Sequence, residues 1–194
     1  MALFAWISGS RFSQLLAFSA EVEDDISHRR LHKLKLNIAQ CSDAPTSRYF
    51  GTSSYYHVLV ASGYALFFSA VANVVALRPA FSLLWIITGI VWLALLMTST
   101  LAITKGWRSG LLTLFYGWFL HLAISLATLV CGLIFQPLSL LFGLSWAAGV
   151  VLLWLAWRMI NSREMVNLVR WCLRLKMQQE HARQLQRRAV KKGR

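Results

Sequence analysis

Four long apolar runs, separated by short polar breaks, dominate the pattern of this chain. They cover residues 56–77, 81–104, 111–135 and 138–160. Each exceeds the roughly 20 helical residues needed to cross ~30 Å of hydrocarbon. A lone strand would leave its backbone unsatisfied in lipid, and the alternating pattern of a membrane barrel is missing. The pattern therefore predicts an all-α, polytopic membrane protein: a four-transmembrane-helix bundle over 56–160 with further helices on either side. The break at Gln136-Pro137 is short, but proline suits a turn or a first helical position, so the third and fourth runs are expected to be separate helices.

Before the first run, residues 1–55 alternate between apolar and polar stretches. Leu3, Phe4, Trp6, Ile7, Phe12, Leu15, Leu16 and Phe18, broken by serines, Arg11 and Gln14, predict a helix lying along the membrane surface with Trp6 at headgroup level. Glu21, Glu23, Asp24 and Asp25 then precede His28, Arg29, Arg30, His32, Lys33 and Lys35. Acid before base is the order a helix dipole favours, and predicts one helix over about 22–38 with an Asp25–Arg29 pair at i, i+4. Residues 41–54, with Pro45 and Gly51, read as a linker. After the fourth run no Pro or Gly occurs until Gly193, and Met165, Leu168, Val169, Cys172 and Leu175 or Lys176 recur at helical spacing. Arg163, Arg170, Arg174 and Arg183 stand opposite. The fourth span is expected to run on without a break as a basic amphipathic helix through 161–194.

Composition sharpens the class. Hydrophobic residues make up 57% of 194 and charged ones 14%, against about 25% charged in a soluble domain, and mean hydropathy is +0.54. Between Tyr49 and Met159 there is no Asp or Glu. Lys and Arg are lopsided as well: nineteen of the twenty fall on the side of the bundle that holds both ends and the second connection, and only Arg78 on the other. By the positive-inside rule both termini face the cytoplasm, and so strong a bias suggests a bacterial inner membrane. The apolar start at Met1–Ile7 lacks a preceding positive charge and is too short for a cleaved signal peptide, so the first span is expected to be an uncleaved anchor. Cys41, Cys131 and Cys172 form no disulfide framework in that setting.

Few residues in the spans carry chemistry. Ala61, Ala65, Ser69 and Asn73 share one helix face, and Gly117, His121, Ser125, Thr128 and Gly132 another. Such small and polar rows read first as helix-packing seams. The sharper reading places Asn73, Ser69, His121, Ser125 and Thr128 along a proton or substrate path, because an ionisable residue inside a span is a functional candidate. His121 has no embedded carboxylate partner, and small multidrug transporters of similar size carry a membrane glutamate without counterpart here. His28 and His32, with Cys41 downstream, sit among cations that repel a metal ion. No phosphate loop, zinc motif or nucleophile beside a base occurs. No cofactor, no metal and no catalytic residue is expected, and the chain is not expected to be an enzyme.

The tail holds the densest charge. Arg163, Arg170, Arg174, Lys176, Arg183, Arg187 and Arg188 are candidates for contact with anionic lipids of the cytoplasmic leaflet, at ~1 kcal/mol per basic residue, or with an acidic protein. Trp171 is the only aromatic residue after Trp157, so base stacking has no support and nucleic acid is not an expected partner. In size and layout alone the chain is similar to bacteriocin immunity proteins, exclusion proteins and minor subunits of secretion or conjugation machines. The expected function is that of a non-enzymatic inner-membrane protein, an accessory subunit or an inhibitor, working through helix packing and cytoplasmic contacts with another membrane or cytoplasmic protein. The alternative is a small channel or transporter formed by a homo-oligomer.

Overall fold

The computed structural model describes residues 9–41, 50–74, 79–135 and 139–192, which form seven helices and no strand. These are α1 (Ser10–Ser27), α2 (Leu31–Gln40), α3 (Phe50–Val74), α4 (Pro79–Thr104), α5 (Arg108–Phe135), α6 (Leu140–Ile160) and α7 (Arg163–Lys192). Four stretches are long and apolar enough to cross a membrane: Ser54–Ala72, Ser82–Thr104, Arg108–Ile134 and Leu140–Ile160. Their outward surface supports that reading. Only 17% of the Ser82–Thr104 span is buried within the protein, and Ile90 and Leu140 are 64% and 80% exposed. Contiguous aliphatic surface of this extent is unfavourable in water and neutral in lipid. Residues 1–8 of the expected surface helix, Trp6 included, residues 42–49 of the expected 41–54 linker, and the breaks at Arg78 and Gln136-Pro137 lie outside the described residues, while residues 50–54 of that linker already belong to α3.

Contacts divide the chain into two compact units. The terminal-helix unit comprises Met1–Gly51, Ser99–Leu112 and Asn161–Arg194. Its core is built by α1, α2 and α7. Phe12, Leu15, Leu16, Ser19 and Val22 are buried along α1 at steps of three and four, the spacing of one helix face. Leu34 of α2 and Met165, Leu168, Val169, Cys172, Leu173 and Met177 of α7 complete this apolar interior. Phe12, Leu15 and Leu16 therefore bury against protein, where a membrane-surface helix was expected.

Two other expectations about helix boundaries are corrected. The predicted single helix over 22–38 is broken at His28–Arg30. There the Arg29 N–H donates to Ile26 O (3.2 Å), the Arg30 N–H donates to Asp25 O (2.9 Å), and Arg29 adopts φ +55°. This is a Schellman stop in which arginine occupies the left-handed position that glycine normally takes. Arg30, not Arg29, then reaches the Asp25 carboxylate. The second correction concerns α6 and α7, which are separate helices divided at Asn161-Ser162. Ser162 Oγ accepts from the Met165 N–H at 3.1 Å, an N-cap that starts a new helix where helix propensity alone predicted continuation.

The bundle unit comprises Thr52–Thr98 and Thr113–Ile160. Its buried face on α3 is Tyr56, Val60, Gly63, Phe67 and Ala70, offset from the small-residue row of Ala61, Ala65 and Ser69. The offset has a steric cause. α3 and α6 cross where a Cβ on Gly63 would lie 3.5 Å from Gly149 O, and the Phe67 ring occupies the space a Cβ on Gly149 would need. Gly117 faces Trp92 and Leu96 of α4, while Gly132 faces Phe142 of α6. The row on α5 thus serves two neighbours at different heights.

Candidate functional site

In the terminal-helix unit the charged residues near the centre are consumed by one another. The Asp25 side chain is fully buried and accepts from Asn37 Nδ2 at 3.2 Å and from Arg30 Nη1 at 3.3 Å. Two residues earlier on α1, Glu23 Oε1 accepts from the Arg108 backbone N–H at 3.0 Å. That N–H belongs to the first turn of α5, which lacks an intrahelical acceptor, and the helix dipole favours a carboxylate there. Lys176 of α7 closes the cluster: its Nζ donates to Gly106 O at 2.9 Å and lies 3.6 Å from Glu23 Oε1. Gly106, at φ +67°, supplies the left-handed turn that presents this carbonyl.

The remaining tail cations stand in several settings. Arg163 and Arg187 are exposed, Arg183 pairs with Glu180 at 2.7 Å, and Arg170 and Arg174 are half-buried near Cys41. The Arg188 side chain lies outside the described residues. A groove of about 330 Å³ is lined by Lys105, Trp107, Lys176, Glu180 and Arg183, with the Lys105 ammonium 5.2 Å from the Trp107 ring centroid. Burial pushes the Cys172 thiol up to about 11 and raises that of Cys41, where the fields of Arg170 and Arg174 oppose the rise. His28 lies 3.0 Å from Asp24, and the described residues hold no grouping of three metal-ligating side chains.

In the bundle unit, aromatic side chains tie helices together by donating to main-chain carbonyls. Tyr56 Oη donates to Leu114 O (3.1 Å), His57 Nε2 to Leu96 O (2.8 Å) and Tyr64 Oη to Trp85 O (2.9 Å). Trp118 Nε1 donates to Leu153 O and Trp146 Nε1 to Ser125 O, both at 3.0 Å. A helical carbonyl keeps a second lone pair, so it can accept from a neighbouring helix without losing its own backbone bond. Tyr56 and His57 are both buried, and the sequence pattern did not single out His57.

Of the predicted pathway residues, His121, Ser125 and Thr128 are buried. Thr128 Oγ1 bonds back to Ile124 O at 2.8 Å, as hydroxyls in membrane helices commonly do. Ser69 is half-buried, and the side chain of Asn73 lies outside the described residues. His121 stands apart from the others. Its Nδ1 donates to Gly117 O at 2.9 Å, its ring packs against Tyr64 and Trp92 at centroid distances of 5.8 and 5.7 Å, and its Nε2 has no hydrogen-bond partner among the described residues. It lines a cavity of about 270 Å³ together with Tyr64, Phe68, Ile90, Trp92 and Leu93. The small residues Ala61 and Ala65 leave room for this cavity instead of sealing a seam.

These elements define an all-helical membrane protein with four candidate spans and a charged helical unit with a core of its own. Compared with protein-family profiles, curated proteins and solved structures, the chain matches none.

Proposed function

We propose that the chain is a non-enzymatic membrane protein that holds its terminal-helix unit at the cytoplasmic face as a docking module for another protein. The observation that carries this reading is the built core of that unit. Terminal segments that served only for topology or lipid attraction would need no shared interior, whereas α1, α2 and α7 bury Phe12, Leu34, Leu173 and Met177 completely or nearly so. All seven acids and eighteen of the twenty Lys and Arg residues belong to this unit's segments. Its described acids mainly serve internal ties, which leaves an excess of cations such as Arg163 and Arg187 facing outward. Leu36, Leu185 and Val190 are exposed on the same unit, and apolar residues amid charge suit a protein partner better than lipid headgroups alone. The positive-inside rule supports a cytoplasmic position for this unit, with anionic lipid as a second contact. An accessory subunit of a bacterial inner-membrane complex, or an inhibitor of one, fits these features.

Site-specific photocrosslinking in native membranes tests the proposal. A photoreactive residue at Leu36 or Leu185 is expected to give one discrete product with a second protein, and Arg163→Glu with Arg187→Glu is expected to abolish it. Crosslinks to lipid alone, or a product insensitive to charge reversal, would overturn the reading.

A further inference from the structure

The cavity beside His121 has a polar requirement that its apolar walls do not meet. The Gly117 carbonyl can only accept, so His121 Nδ1 carries the proton in that 2.9 Å bond. In the neutral imidazole Nε2 then offers a lone pair, and this buried atom meets no donor among the described residues. Trp92 lines the same cavity, and its buried Nε1–H meets no acceptor among the described residues. One acceptor and one donor therefore stand on rings whose centroids are 5.7 Å apart. A buried polar atom left unpaired costs about 1–3 kcal/mol, so two such atoms beside one cavity point to an absent partner that satisfies both.

The rest of the cavity defines that partner. Phe68, Ile90 and Leu93 give hydrocarbon walls, and the exposed Ile86 and Ile90 place its mouth on the lipid-compatible flank of α4. His121 is the middle residue of the Arg108–Ile134 span, far from either headgroup layer. A charged or zwitterionic headgroup is excluded at that depth by its desolvation cost. A cavity of about 270 Å³ exceeds the about 150 Å³ that accommodates benzene, and so takes a short length of chain or one ring unit. A carbonyl or ether oxygen can accept from Trp92 but has nothing to give His121. A hydroxyl does both.

We propose that this cavity binds a neutral lipid alcohol, whose hydroxyl donates to His121 Nε2 and accepts from Trp92 Nε1–H while its hydrocarbon fills the apolar remainder. The site is independent of the docking role proposed for the terminal-helix unit.

The test uses the full chain in phosphatidylcholine nanodiscs, with a diazirine-bearing decanol and its methyl ether as photolabels, read by peptide mapping. The alcohol is expected to label α3 and α4 peptides around Tyr64 and Ile90 roughly fivefold more than the ether, the effect of one net hydrogen bond. His121→Phe should bring the alcohol down to the ether's level, whereas Trp92→Phe, which removes the donor that either oxygen accepts from, should lower labelling by both probes and leave the alcohol ahead. Trp92→Phe deletes the donor and keeps an aromatic ring, so it carries the test if His121→Phe does not fold. Equal labelling by alcohol and ether in the native chain would overturn the proposal, as would labelling absent from the lining residues. Labelling by both probes that is unchanged in Trp92→Phe would do the same.

Discussion

Asn37 of α2 donates a side-chain N–H to the Asp25 carboxylate of α1 across 3.2 Å, and both residues are buried. Arg30 supplies a second donor from the turn between them. A buried carboxylate is tolerated only with such partners. Asp25→Ala removes the acceptor and strands the Asn37 amide, with an expected loss of ~3 kcal/mol. Thermal unfolding of the detergent-solubilised protein followed by helical circular dichroism measures it. With Asn37→Ala added, the double variant should lose less than the two single losses combined.

Arg29 ends α1 in a left-handed conformation that costs a side-chain-bearing residue ~1 kcal/mol. Arg29→Gly is therefore expected to raise the unfolding midpoint of the terminal-helix unit, with a gain of about 1 kcal/mol. A lowered midpoint would show that the arginine side chain contributes more than its backbone strain costs.

Glu23 serves both the first turn of α5 and Lys176. Because it is partly exposed, the ion pair contributes little and the cap contributes most. Glu23→Gln, which keeps an acceptor oxygen, should retain most of the stability. Glu23→Ala should lose ~1 kcal/mol, as N-cap replacements do. Equal losses in the two variants would mean that charge, not the hydrogen bond, is what matters.

The Cys172 thiol gives the terminal-helix unit a dependence on alkaline pH. Its value is 9.0 when unperturbed and about 11 in the fold, so the folded state holds the proton more tightly than the unfolded one. The resulting stability is fully present below pH 9.0 and is lost as pH rises towards about 11, at ~1.4 kcal/mol per pH unit. Cys172→Ala should flatten the alkaline limb of the unfolding curve. In the native chain, alkylation of Cys172 by iodoacetamide should keep accelerating up to about pH 11 rather than levelling off near 9.0.

A Cβ placed on Gly110 would lie 2.6 Å from Ser99 O and 2.8 Å from Ile103 N, both backbone atoms that cannot swing aside. Gly110→Ala is expected to cost more than ~2 kcal/mol despite its better helix propensity. Gly143→Ala meets no atom within 4 Å and should be neutral or slightly stabilising, which makes it the matched control for the same unfolding assay.

The spans were legible because burial in lipid demands nothing of sequence but length and apolarity. The predicted runs and the four spans agree within a few residues. The apolar row of α7 from Met165 to Cys172 was equally plain, since a soluble helix face keeps its period. What escaped were features decided by three-dimensional partners. Nothing local distinguishes Arg29 from its neighbours as a helix stop, because glycine, the usual signal, is missing. Ser162 could be noticed as a cap only by discounting the good helix formers around it. On α3 the row of Ala61, Ala65 and Ser69 resembled a seam, but large residues seated on opposing glycines set the packing instead, as Phe67 does on Gly149. His121 was visible as an oddity in an apolar span. Its pairing with Trp92 across a cavity depends on the side-by-side placement of α4 and α5, which no periodicity records.

The most direct test of the docking account is purification from native membranes in mild detergent, with a tag placed after Arg194 and native mass measured for the whole particle. The account predicts a stoichiometric complex with a second protein, lost in the Arg163→Glu, Arg187→Glu variant while the chain itself stays inserted in the membrane. A homogeneous homo-oligomer with no companion, unchanged by those substitutions, would contradict it.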